Sequence, residues 1–108
     1  MQIRITIYAI LGVLLLSTGV TSLAQSSGAD VYKSKCAMCH GADGLGDTPA
    51  GKSTKVHPFN SPDVVKMSDT ELVAIVTDGK AKMPAYKGKL TDAQVKEVVA
   101  YIRTLQKK

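Results

Sequence analysis

Apolar positions along the 108-residue chain fall into four blocks of different period. The first, Ile5 to Val20, is a mostly apolar run with no amphipathic spacing. The second, Ala29 through Cys39, reads as a helix in which Val31, Tyr32, Lys35, Cys36 and Cys39 build one face. The third opens on Ser68-Asp69-Thr70-Glu71, which has capping-box spacing, with Met67 and Leu72 placed to staple the helix entrance. Leu72, Val73, Ile75 and Val76 supply its buried face, and Gly79 stops it. The fourth starts at Thr91, where Gln94 completes a second capping box and Leu90 staples to Val95. Val95, Val98, Val99, Ile102 and Leu105 then recur at helical spacing.

The connections are equally marked. Gly41, Gly44, Gly46, Pro49 and Gly51 break any regular element and predict a loop of roughly 20 residues, long for a compact domain unless it wraps something. Ser61 with Pro62 and Asp63 signals a short helical turn. Residues 79–90 form an irregular, lysine-rich segment. The expected fold class is all-α, with three to four short helices, no sheet and no internal repeat.

The first block belongs to export rather than to the fold. Met1-Gln2-Ile3-Arg4 gives a basic start, and Ser22-Leu23-Ala24 puts small residues where a signal peptidase reads. Its sixteen apolar-run residues fall short of the roughly 18 that suggest a membrane-spanning helix. We expect a cleaved signal peptide over 1–24 and one domain over 25–108, delivered to the periplasm; retention as an N-terminal anchor is the competing reading. Eighty-four residues bury little core, so such a domain needs a staple such as disulfides, a metal or a cofactor. Without Arg4 the chain has 13 basic against 9 acidic residues, a formal +4. That is mild for a nucleic-acid binder, and no basic stripe with interleaved aromatics occurs.

The staple is written at Cys36-Ala37-Met38-Cys39-His40. Two cysteines three apart and a histidine four from the first converge on one side of a helical turn. In C-x-x-C-H the thiols add to the porphyrin vinyl groups as thioethers and the histidine coordinates iron. A thioredoxin-like redox pair lacks its βαβ surroundings here, and structural zinc would need four ligands, with His57 the sole further imidazole. A simple disulfide would close a very small loop and leave His40 unexplained. One covalent haem c, held by Cys36 and Cys39 with His40 on the iron, is the reading that uses all three residues.

What fills the other axial position decides between an electron carrier and a ligand-binding haem. Met38 lies inside the attachment motif and Met67 has a staple role. Met83 precedes Pro84, which biases its backbone towards an extended conformation, on a loop between two helices that can present the thioether. His57 is the rival, in the same pre-proline context but on the wrapping loop. Met83 is the expected ligand. A thioether in that place favours ferrous iron and raises the reduction potential.

The chain resembles the small soluble monohaem class I c-type cytochromes over essentially all of residues 28–106. The resemblance rests on Cys36-Ala37-Met38-Cys39-His40-Gly41, on Met83-Pro84, and on the capped last helix containing Val99-Ala100-Tyr101-Ile102-Arg103. Gly28 and Tyr32 look like the glycine and aromatic with which that family's first helix crosses its last, and Tyr101 like their partner. It implies a cytochrome c fold wrapped around the haem, covalent attachment at Cys36 and Cys39, axial ligation by His40 and Met83, and a Pro49 carbonyl orienting the histidine ring. The function implied is electron transfer without catalysis, by a monomer that meets redox proteins transiently. Lys80, Lys82, Lys87 and Lys89 flank Met83 and would steer partners with acidic docking surfaces. An electron-entry subunit of a larger redox enzyme, or a gas-binding haem sensor, are the alternatives.

Overall fold

A computed structural model describes residues 27–108; the expected leader and its cleavage point lie outside the described residues. Six helical segments follow in order: α1 (Gly28–Lys35), α2 (Ala37–His40), α3 (Pro49–Thr54), α4 (Pro62–Val65), α5 (Asp69–Asp78) and α6 (Asp92–Leu105). The described residues contain no strand; two isolated bridges, Lys80 to Met83 and Lys87 to Leu90, stiffen the segment between α5 and α6.

Both capping boxes form. Ser68 and Glu71 exchange side-chain-to-backbone bonds at the start of α5, and Thr91 and Gln94 do so at α6, each satisfying amides that the first helical turn leaves without partners. All five apolar positions anticipated on α6 are buried. On α5, Leu72 and Val76 enter the core while Val73 and Ile75 are half-buried.

Two local details differ from the sequence reading. The helix expected through Cys39 is divided at Cys36, whose backbone (φ −115°, ψ −36°) departs from helical geometry. Cys39 N–H then bonds the Cys36 carbonyl instead of continuing the α1 ladder to Lys35. The glycine-rich loop also contains a helix of its own, α3, which Thr48 caps through Gly51 N–H with Pro49 at the first position.

α6 is the spine. α1 and α5 both pack on it, and α2 packs on α1 and α3. At the α1–α6 crossing a Cβ on Gly28 would run into the Glu97 carbonyl, so the backbones approach to a distance that only glycine permits. Beside it the Tyr32 ring, 1% exposed, lies 5.2 Å from Tyr101 and edge-on to Phe59 at 6.2 Å. The crossing anticipated from Gly28, Tyr32 and Tyr101 is present.

Candidate haem-binding site

The turn carrying the cysteines is held by its carbonyls. Helix α2 is a single turn, and a C-terminus that short leaves most of its acceptors open. Thr48 Oγ reaches the Met38 and Cys39 carbonyls at 2.8 and 3.0 Å, Gly46 N–H reaches His40 O at 2.8 Å, and the Tyr32 hydroxyl donates to Gly41 O at 2.6 Å. Four consecutive carbonyls are thus satisfied by side chains and loop amides. The wrapping loop fixes the turn as well as covering it.

Cys36, Cys39, His40 and Met83 border one cavity of ≈ 770 Å³. Cofactor pockets commonly enclose roughly 300–1,000 Å³. Apolar side chains of α5 and α6, including Leu72, Ile75, Val76 and Ile102, form its wall, with Phe59 beside them. The two thiols are not joined to each other. Burial pushes the Cys36 thiol up to about 11, opposite to the lowered value a thiolate redox pair requires.

The His40 ring stacks on Phe59, with centroids 4.6 Å apart and planes 19° from parallel. Burial lowers its pKa, which keeps the imidazole neutral and able to ligate at pH 7. His40 Nδ1 is buried without a hydrogen-bond partner. The expected Pro49 carbonyl contact is therefore not made; Pro49 is committed to starting α3. A buried nitrogen without a partner is uncommon in packed cores and is at home in a binding site.

Met83 sits on a turn closed by its own backbone: its N–H bonds Lys80 O at 2.9 Å, and Lys80 N–H bonds Met83 O at 3.2 Å. Gly79 ends α5 at φ 76°, and a Cβ there would meet Met83 O at 2.8 Å, so helix end and turn are packed backbone to backbone. The other candidates are placed differently. Met38 is 79% exposed, and Met67 packs against the core while its carbonyl accepts from Arg103. His57 is exposed on the cavity rim, where Nδ1 lies 3.0 Å from Asp63 Oδ2. Among the described residues no group of three or more His, Cys, Asp or Glu is arranged to hold a metal ion.

Three residues about the site were not singled out by sequence. Thr48, which holds the cysteine turn, had a readable signal, a capping residue before proline, whereas Phe59 and the rim lysine Lys55 had none; Lys35, on the face expected to carry the cysteines, lines the cavity too. Lys80, Lys82 and Lys89 border the cavity as the flanking pattern suggested, but Lys87 does not.

Apolar helices around a cavity edged by a C-x-x-C-H turn and a methionine loop define a class. The chain belongs to the c-type cytochrome family: residues 24–102 match the family model described as cytochrome C oxidase, cbb3-type, subunit III. It is similar to cytochrome c6 of Leptolyngbya boryana, 38% identical over 79 residues covering 71% of this chain and 87% of that protein. It is also similar to the cbb3-type cytochrome c oxidase subunit CcoP of Azospirillum brasilense, 32% identical over 84 residues, 76% of this chain and 28% of that protein. Among solved structures, the KustC0563 c-type cytochrome superposes with a TM-score of 0.68 at 29% identity, covering 74% of this chain and 98% of that one. The all-α small cytochrome c fold expected from the sequence is the fold observed.

Proposed function

We propose that the mature chain is a periplasmic electron carrier with one haem c, attached through Cys36 and Cys39 and ligated by His40 and Met83. The observation that carries this reading is that those four side chains border one largely apolar cavity, in a chain that covers 87% of a cytochrome c6. Haem supplies a one-electron ferric/ferrous couple. Cys36 and Cys39 would tether it on a turn whose carbonyls are already satisfied, with the His40 imidazole stacked on Phe59 beside them. Met83 brings a neutral, polarisable donor, which favours the ferrous state. The walls from α5 and α6 exclude water and disfavour the additional charge of the ferric state. With two protein ligands in place no coordination site is left for a substrate, and the chain carries electrons without catalysing a reaction.

Lys35, Lys55, Lys80, Lys82 and Lys89 border the same cavity. Asp63 is the single acid among its lining residues and is paired with His57. This basic rim suits transient docking of an acidic redox protein. Residues 1–24 direct export and are removed; among the described residues no helix is long and apolar enough to cross a membrane.

The test is a denaturing gel of the exported protein stained for haem. Colour migrating with the wild-type polypeptide, and lost from a Cys36→Ser, Cys39→Ser double variant, is the expected result; a colourless wild-type band defeats the reading. A second reading, an electron-entry component of a larger enzyme, is favoured by the match to the oxidase-subunit family. Stoichiometric co-purification with an oxidase from the native membrane distinguishes it from a free carrier. Ready binding of carbon monoxide by the reduced protein would point instead to a gas sensor.

A further inference from the structure

The Met83 segment belongs to the α5 side of the cavity. Tyr86 N–H bonds Val76 O and Lys87 N–H bonds Thr77 O, both at 3.0 Å, while Lys89 and Leu90 amides return to Tyr86 O. All of these tie the segment to α5 or to itself. α5 packs on α6 and, among the described helices, on no other. The cysteine turn packs instead on the α1–α3 side, whose helices make no contact with α5 among the described residues.

One hydrogen bond among the described residues links residues 79–90 to that side: the Tyr86 hydroxyl donates to the Lys35 carbonyl at 3.0 Å, across 51 positions of sequence. Its acceptor exists because of the break in the helix. In an unbroken helix Lys35 O would take the Cys39 amide, but Cys39 N–H turns to Cys36 O and frees the Lys35 carbonyl one residue before the attachment motif. Burial holds the Tyr86 phenol above its ordinary value, and the hydroxyl is a donor at neutral pH.

We propose that Tyr86 is a positioning residue for Met83: its hydroxyl clasps the methionine loop to the end of α1 and keeps the thioether from swinging out of the cavity. This rests on the reading of Met83 as an axial ligand. A neutral hydrogen bond contributes about 1 kcal/mol, so its loss raises the population of the open loop about fivefold. An added ligand that needs the open loop gains apparent affinity by the same factor.

The experiment uses the oxidised, haem-loaded, exported protein, with imidazole as the probe, and compares wild type, Tyr86→Phe and Met83→Ala. Phenylalanine keeps the ring and removes only the donor. Tyr86→Phe is expected to keep the long-wavelength sulfur-to-iron band at neutral pH and to bind imidazole about fivefold more tightly than wild type. Met83→Ala is expected to lose the band outright. If Tyr86→Phe binds imidazole as wild type does, even with a lowered urea midpoint, the tyrosine is only structural and the clasp is overturned while the Met83 assignment stands. If Met83→Ala retains the band, the ligand assignment itself fails and the clasp fails with it.

Discussion

Tyr32 couples the core to the cysteine turn through one side chain. Its ring fills the α1–α6 crossing and its hydroxyl holds the Gly41 carbonyl directly after His40. Tyr32→Phe keeps the ring and strands a buried carbonyl, so we expect a loss of about 1–3 kcal/mol in urea unfolding with little change in the absorption spectrum. Burial raises the Tyr32 pKa, so the folded state keeps a proton that the unfolded chain releases near its ordinary value of about 10. Stability from this group is complete below that pH and is lost as pH rises above it; Tyr32→Phe should flatten the alkaline limb of the stability curve. At this scale the shared place of Cys36, Cys39 and His40 on the cavity was legible because their spacing is itself a chemical pattern. Phe59 was not, since one aromatic in a glycine-rich loop has no period to place it against His40. The expectation for Met83, which borders the cavity, came only from its neighbour Pro84 and the elimination of competitors.

At the scale of elements, what was legible was local. Capping boxes at Ser68 and Thr91 and the apolar stripe of α6 depend on residues three or four apart, and the structure contains each of them. The helix inside the wrapping loop had a local signal as well, Thr48 before Pro49, set among glycines that argue for a loop. The bonds made around the break at Cys36 were not legible, because they join distant residues: Thr48 reaches back ten residues to Met38, and Tyr86 crosses 51 to Lys35. The α1–α6 contact also depends on a distant neighbour, and Gly28 tests it. Gly28→Ala improves intrinsic helix propensity yet places a methyl against the Glu97 carbonyl. We expect overpacking to win, with a net loss of about 1–3 kcal/mol and a fall in Tm of roughly 4–8 °C for each kcal/mol, measured by thermal denaturation at neutral pH. An unchanged or raised Tm would mean that the helices can separate at no cost.

Over the whole molecule, charge gathers at the cavity mouth, with lysines from α1, from the loop after α3 and from the Met83 segment. Sequence located the last group by proximity to Met83; Lys35 and Lys55 join only through folding. Changing Lys35 and Lys82 to glutamine should slow reaction with an acidic redox partner about tenfold at low ionic strength, the rates converging as salt screens the rim. Equal rates at low salt would exclude this face from docking. The account as a whole depends on His40 and Met83 facing the same haem iron in the exported protein. The most direct measurement is the absorption spectrum of oxidised wild type and Met83→Ala. We predict a weak long-wavelength sulfur-to-iron band in wild type that Met83→Ala lacks, and a band that survives the substitution would contradict the assignment.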